Sequence, residues 1–447
     1  MSTKSRNIEQ EHMNWKKVIQ LVMVHVGVSI TVVPVTSTLN RIMIADMHLS
    51  AFLVGVLIAL PYLLSPLQVL MGDWTDRTAL WGRHRSPWIV IGGLMASFGS
   101  YLTPHAVFEM NTHWGLGLMA AVGAFTLWGV GVNIASVSYL SLLTELTENQ
   151  PHWRSRTVST MWTVMILSTI VTSIVLSIML DPYTVPSLYT AFGAIWLVAS
   201  VLILFGSSNI EPPPAPDRKL HNSANNPLIA LQLLAYNPAA RRFFFYLLLV
   251  LISIHAQDVL LEPFGAEALA MTVAQTSRLT FIWGIGVFLT LVGGLPLVRR
   301  LGKKAAANGG ALLAACGFAA IIITGLLQNV SLFMGAVFLL GLGGGLMTIS
   351  NLSFMLDMTI PQAAGLYIGA WGVANFAGQA LGSILSGLLR DLLYQLTGHV
   401  LSGYLLVFGL EVVGLLIAIG LFRTISVEEF RRNAEVRLAD VLALMTE

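Results

Sequence analysis

"GDWTDRTALWGRHR", Gly72 to Arg85, interrupts a long apolar stretch, and its counterpart further along decides the fold. That counterpart is "GGLPLVRRLGKK", Gly293 to Lys304, which also follows a long apolar run and sets a glycine among basic residues. Gly82 and Gly302, each followed by basic residues, are 220 positions apart. A second echo pairs "LLTELT" with "FMLDMT", bringing Glu145 into register with Asp357 at an offset of 212. Near-constant offsets of this size describe one multi-helix unit written twice.

The composition says what surrounds those units. Of 447 residues, 55% are hydrophobic and 10% are charged, whereas soluble domains carry about 25% charged residues. Most of the surface therefore faces lipid. Runs such as "VIQLVMVHVGVSITVVPVTSTL" and "AFLVGVLIALPYLLSPLQVLM" each approach the ~20 residues that cross a bilayer as a helix. Twelve spans are expected, at 17–39, 51–72, 87–107, 115–143, 156–180, 186–206, 243–264, 275–298, 304–327, 330–355, 363–389 and 401–422. With both termini cytoplasmic, the Lys and Arg residues collect on the cytoplasmic side, and only Arg41, Arg278 and Arg390 fall outside it. That asymmetry is the positive-inside pattern. The net charge of +2 is then topological and points to no nucleic-acid partner. The polar start "MSTKSRNIEQEHMNW" leads to no cleavage site, so no signal peptide is expected. The single cysteine, Cys316, lies in a span and excludes an internal disulfide or a Cys-based metal site.

The expected fold is an all-α polytopic membrane protein of two six-helix pseudo-repeats, the architecture of the major facilitator superfamily. Its parts are a cytoplasmic N-terminal segment (1–16), an N-terminal bundle (17–206), a cytoplasmic linker (207–242), a C-terminal bundle (243–422) and a cytoplasmic tail (423–447). Prolines make the linker semi-extended, and "LIALQLLAYNPAARRFF" within it reads as a short surface helix ended by Asn237-Pro238. The tail opens with a capping box, Ser426 with Glu429, and reads as an amphipathic helix on the membrane or a partner.

The first loop resembles that superfamily's signature in Gly72, Asp76, Arg77, Gly82, Arg83 and Arg85, lengthened by Thr78 to Trp81. A carboxylate at a helix end that holds basic residues in one state and releases them in another makes such a loop a conformational switch. The bland alternative is anchoring by positive charge alone.

Charges inside the membrane are costly and mark function by default. "HAQDVLLEPFGAEAL", His255 to Leu269, carries Asp258, Glu262 and Glu267 at the outer end of the seventh span. Asn40 and Arg41 hold the equivalent place in the first. An Arg41–Glu262 or Arg41–Glu267 pair would close the outer mouth. Asp258 and Glu262, four apart, share a helix face beside Gln257, and Pro263 favours a break near Glu262 that frees backbone groups for a ligand. Such carboxylates suit either proton carriage or a static polar cluster. His25 and His255, 230 positions apart, are candidate ligands for the magnesium of a chlorophyll, while His105, His113, His152 and His399 read as solvated rim residues. Gly365, Gly369, Gly378 and Gly382 give small-residue spacing for close helix packing, or a smooth face with Trp371 for a flat ring. Asn351, Asn375 and Gln379 are the polar groups nearby.

"LNRIMIADM", "QDVLLEPFGAEAL" and "LDMTIPQAAGLYIGAWG" resemble the PucC-type, bacteriochlorophyll delivery branch of the superfamily, over about Asn14 to Arg423. The resemblance carries over Asn40, Arg41, Gln257, Asp258, Glu262, Gly265, Asp357, Gly365 and Trp371 as signature positions. His25 and His255 depart from it, so pigment ligation by either would be particular to this chain. The resemblance implies a multi-pass protein of a bacterial plasma or thylakoid membrane and no enzyme. It also implies light-harvesting or photosystem polypeptides as partners, and (bacterio)chlorophyll or a related tetrapyrrole as candidate cofactor. No nucleotide loop, His-Glu zinc motif or nucleophile elbow appears. Three readings follow: an assembly factor delivering pigment or chaperoning antenna polypeptides, a proton-coupled secondary transporter of a small amphipathic solute, and a permanent structural subunit of a photosynthetic complex.

Overall fold

A computed structural model of the chain describes residues 13–148, 150–212, 237–360 and 363–436. The side chain of Asp76, the glycine at 365, the expected surface helix ahead of Asn237 and the tail beyond Val436 lie outside the described residues. Apart from one isolated bridge between Leu80 and Arg83, the regular structure of the described residues is helical.

The first half contains α1 (Trp15–Ser29), α2 (Ala51–Leu63), α3 (Leu67–Arg77), α4 (Ser86–Glu109), α5 (Trp114–Leu146), α6 (Pro151–Met179) and α7 (Val185–Ser207). The second contains α8 (Pro238–His255), α9 (Gln257–Leu269), α10 (Val273–Leu301), α11 (Lys303–Leu326), α12 (Val330–Asp357), α13 (Ala364–Thr397), α14 (Val400–Arg423) and the short α15 (Val427–Val436). Local chemistry sets many of the starts. Asn14, Ser50, Thr184, Asn237, Thr272 and Asn329 accept hydrogen bonds from the first-turn backbone, where side-chain oxygens satisfy donors that the helix leaves open.

Among the described residues, ten helical segments are long and apolar enough to cross a membrane. The expected spans at 51–72 and 87–107 do not meet that measure, for different reasons. The first is split into α2 and α3 at Ser65-Pro66, because Pro66 has no N–H for the α-helical ladder and tighter bonds, from Ser65 to Tyr62, Leu67 to Leu64 and Gln68 to Ser65, take over. The second, α4, is 24 residues long, but its glycines, serines, Thr103 and His105 dilute its apolar character. The first span runs beyond the expected end at 39, through π-helical turns at Pro34–Leu39 and Ile42–Asp46. Pro34 has no N–H to continue the α-helical ladder, and a wider turn takes over.

The seventh span is interrupted only at Ala256, which keeps helical dihedrals (φ −61°, ψ −31°) and its bond to the Ile252 carbonyl, and Pro263 sits inside α9. The expected break near Glu262 does not occur. Proline acts through the carbonyl four residues before it, here Val259 in the first turn of α9.

α4 packs on α5 and α7, and α11 on α12 and α14; α1 lies against α7 as α8 lies against α14. The halves meet along two main seams, α2 against α13 and α6 against α10. These seams exchange under the repeat, since the second and fifth spans of one half meet the fifth and second of the other. Ile166, Ile170 and Val287 fill the α6–α10 seam. In the other seam, a Cβ on Gly387 would collide with the backbone of Ala51, and one on Gly55 with that of Ser383. Close backbone approach is what small residues provide between membrane helices.

Replacing Gly387 by Leu should therefore destabilise the folded protein by about 1–3 kcal/mol. Gly409→Ala, at a position with open space, should change little. Thermal unfolding in detergent compares them, and a G387L protein as stable as G409A would refute the close seam.

Candidate functional site

Asn40 is fully buried between the two π-helical turns. Its Nδ2 donates to the carbonyls of Asp258 (3.1 Å) and Val259 (2.9 Å). Val259 owns the carbonyl that Pro263 leaves without a helical donor. The backbone freed by proline thus binds the opposite half of the protein. Further bonds join the halves nearby: the Thr38 and Ser277 hydroxyls are 3.1 Å apart, Ser173 Oγ donates to the Ser277 carbonyl, and Arg278 Nε donates to Ser177 Oγ at 2.8 Å. All lie at the helix ends remote from the basic loops.

The expected pair of Arg41 with Glu262 or Glu267 is absent. Arg41 instead pairs with Asp46, five residues on in the same segment, because the widened turns carry Asp46 over it. With Tyr183, Thr272 and Val273 they line a shallow depression of about 360 Å³. Glu267 pairs with Arg390 (2.6 Å) and accepts from the Tyr404 hydroxyl at 2.5 Å. Arg390 also binds Asp391 at 2.9 Å. The other Asp391 oxygen accepts from Ser50 Oγ (2.7 Å) and the Phe52 N–H (2.9 Å), at the start of α2. A carboxylate at a helix N-terminus satisfies open donors and the positive end of the helix dipole. The lock between the halves is therefore Asp391, which Arg390, itself held by Glu267 of the same half, steadies as an acceptor for the start of α2. Its sequence signal was the Arg390-Asp391 pair on the side otherwise poor in basic residues.

Asp258 and Glu262 diverge instead of sharing a cavity face. Asp258 is half-buried and binds His255 Nδ1 at 2.8 Å, leaving the imidazole Nε2 for a second partner. Glu262 is buried and accepts from Thr280 Oγ1 at 3.0 Å. Gln257, next to Asp258, is buried with its Oε1 unpartnered. Glu411 on α14, which sequence reasoning passed over inside "VFGLEVVGLL", is buried with neither oxygen partnered.

The two signature loops repeat one geometry on the opposite side. Arg85 pairs with Glu145 at 2.9 Å in the first half, and Lys303 with Asp357 at 2.6 Å in the second. Arg85 also donates to Thr75 Oγ1 at 2.8 Å. Gly82 (φ 71°) and Gly302 (φ 84°) both take the left-handed backbone that glycine favours. Trp81 shares positive φ with Gly82, as a tight two-residue turn between Leu80 and Arg83 requires. Gly72 meets only Val137, at an ordinary 3.6 Å. Arg83 reaches Asn209 Oδ1 at 3.0 Å. Glu211, read only as part of the linker, accepts from the N–H groups of His84, Arg85 and Ser86 and so caps α4.

His25 is buried, 2.7 Å from the Tyr139 hydroxyl through Nδ1, with Nε2 unpartnered beside the Trp162 ring. His105 is no free rim residue: it stacks on Tyr189 at 4.1 Å and binds the Tyr101 carbonyl. Gly378 and Gly382 press against α8 near Leu251 and Ile252, so no free ring-binding face exists there. Gly369 is half-buried, and Trp371 is buried edge-on to Phe243. Asn375 and Gln379 bind each other, and Asn351 accepts from Tyr246. The tail helix α15 folds back on its own body, with Phe430 buried against Tyr367 and Glu429 paired with Arg242.

The model of the PUCC protein family matches residues 38–430. The chain belongs to this family. Protein PucC of Rhodobacter capsulatus is 30% identical over 436 residues, covering 92% of this chain and 93% of that protein. The bacteriochlorophyll synthase 44.5 kDa chain of Rhodobacter capsulatus is 28% identical over 422 residues, covering 91% and 94%. Among solved structures, a proton-dependent oligopeptide transporter superposes with a TM-score of 0.71 at 14% identity, covering 94% of this chain and 99% of that one. The nucleoside transporter NupG gives 0.66 at 14% identity, covering 92% and 99%. At such identity the likeness concerns the fold alone, and that fold is the major facilitator fold of a multi-pass bacterial membrane protein.

In this PucC-family chain, Arg390→Ala leaves Glu267 and Asp391 without their cation. Removing one partner of a buried pair costs about 3–5 kcal/mol, so R390A should populate states open on the Arg390 side. Arg41→Ala, whose partner lies on its own segment, should shift that distribution far less. Spin-label distances across the α2–α13 mouth measure both, and equal effects would refute the assignment of the lock.

Proposed function

We propose that the protein is a non-catalytic membrane assembly factor. It takes a magnesium tetrapyrrole of the (bacterio)chlorophyll type and passes it to light-harvesting or photosystem polypeptides. The observation that carries this reading is the His255–Asp258 pair at the junction of α8 and α9. A carboxylate on Nδ1 holds the proton there and leaves Nε2 as the free lone pair, the arrangement that orients imidazoles toward metals. When bound, the tetrapyrrole supplies the magnesium that takes this nitrogen. The donor chemistry fits at His255, which is half-buried. His25 offers the same ligand type, but its Nε2 is enclosed. The names of the relatives, PucC and a bacteriochlorophyll synthase chain, support pigment handling as the task.

A second reading, secondary transport of a small amphipathic solute, is favoured by the one-sided lock. The named polar bonds between the halves gather on the side remote from the basic loops, and rocking about the two seams would exchange access. Purification in mild detergent tests the choice. Co-eluting pigment and antenna polypeptides, with pigment lost in His255→Phe and retained in His25→Phe, is the expected result. Proton-driven solute uptake into liposomes by a colourless protein would overturn the assembly reading. Pigment that survives His255→Phe would overturn the ligand assignment.

A further inference from the structure

Glu411 stands out as the carboxylate for which the described residues offer no donor. Only 3% exposed, it has both oxygens buried and unpartnered. Gln257 is also 3% exposed, with an unpartnered Oε1. Helix geometry places the two together. Gly414 of α14 lies against Ser253 of α8, and the two helices run in opposite directions. Gln257 is four residues beyond Ser253, and Glu411 three before Gly414, so each lies one turn outward from that contact.

An ionised Glu411 would place three acceptor oxygens side by side with no donor, in surroundings where an unpaired charge costs several kcal/mol. A protonated Glu411 has one O–H, and the Gln257 carbonyl oxygen is its acceptor. Exchanging the two ends of the Gln257 amide would supply one donor and still leave a carboxylate in apolar surroundings. We propose that Glu411 is a proton-binding carboxyl and that Gln257 is its partner. On release the Glu411 O–H bond breaks, its electron pair stays on the carboxylate, and the proton passes to water that enters as the halves part on the side of the lock.

The elements packed on α14 hold few competitors. α8 and α9 contribute His255, Asp258, Glu262 and Glu267, the last two bound to Thr280 and Arg390. α13 contributes Tyr367 near its start and Arg390, Asp391 and Tyr394 toward its far end. α11 contributes Lys303 and Lys304 at its start and the exposed Cys316. On α14 itself Tyr404 is bound to Glu267.

The site is also coupled to the lock. Gln257 and Asp258 open α9, immediately after Ala256, and Asn40 of the other half holds the Asp258 and Val259 carbonyls. Parting the halves on that side pulls on the first turn of α9 and so on the partner of Glu411. This inference is independent of the pigment reading.

The test uses the full chain in lipid nanodiscs, with Cys316→Ser for labelling. Infrared spectra across pH should show a protonated buried carboxyl band that is lost in Glu411→Gln and shifted in Glu411→Asp. Spin-label distances should show a distribution between the two states that shifts by up to about tenfold per pH unit, the limit for one linked proton, and E411Q should flatten that profile. His255→Phe should leave the band unchanged. If the wild type shows no such band, or if E411Q or E411D titrates as wild type does, the proposal fails. Loss of pigment in H255F with the Glu411 band intact would separate the two sites.

Discussion

A bilayer interior supplies no water to satisfy a stray carbonyl, and the contact of Asn40 with the backbone ahead of Pro263 answers that constraint. Proline deprives Val259 of its helical donor. At Pro104 the equivalent carbonyl, that of Ser100, takes the Thr103 hydroxyl of its own helix at 2.7 Å. At Pro263 the donor comes from the other half of the molecule. The same backbone chemistry therefore produces a local repair in one place and a joint between halves in the other. The joint needs Asn40 fully buried and close to α9, and the π-helical turns on either side of it are the backbone form in which the first span delivers it there.

Around that joint the polar contacts divide by kind. Near the membrane interior they are hydroxyl and amide bonds, Thr38 with Ser277 and Asn40 with α9. At the mouth a carboxylate accepts, Asp391 taking donors from the start of α2 while the Arg390–Glu267 pair of its own half steadies it. Neutral groups carry smaller desolvation costs where lipid is closest on all sides, and charged groups are affordable only where several partners converge. The basic loops follow another logic. Arg85–Glu145 and Lys303–Asp357 each stay within one half. They brace the loop of each bundle, whereas on the opposite side Asn40, Thr38 and Asp391 bond from one half to the other.

The repeat was legible because it rests on backbone requirements. Gly82 and Gly302 both stand at positive φ, and Glu145 and Asp357 meet basic residues that follow those glycines. Periodicity and hydropathy likewise exposed most of the helical segments. What the sequence concealed were side-chain directions on segments that depart from ideal helices. Arg41 was expected to face Glu262, but the π-helical turns align it with Asp46. Asp258 and Glu262, four apart, were expected on one face, yet the former turns to His255 at the junction of α8 and α9 and the latter to Thr280. Glu211 was hidden by its setting beside a proline-rich linker, although its role as a cap for α4 needs only a carboxylate near three open N–H groups. Glu411 was hidden by the apolarity of its neighbours, which is also what gives it chemical weight.

The position of Glu411 changes how the central polar residues relate. Glu267 and Glu262 each have donors suited to an ionised carboxylate or its hydrogen-bonded equivalent, and so have settled places in this state. Glu411 and Gln257 do not. A state in which buried acceptors lack donors is one that a proton, or a movement of the element carrying them, can relieve. α9 is such an element, because Pro263 frees a carbonyl in its first turn and Asn40 fastens that turn to the opposite half. The interaction that joins the halves and the groups left unsatisfied thus meet at one turn of helix. That turn is where a change in protonation and a change in access have a common mechanical origin.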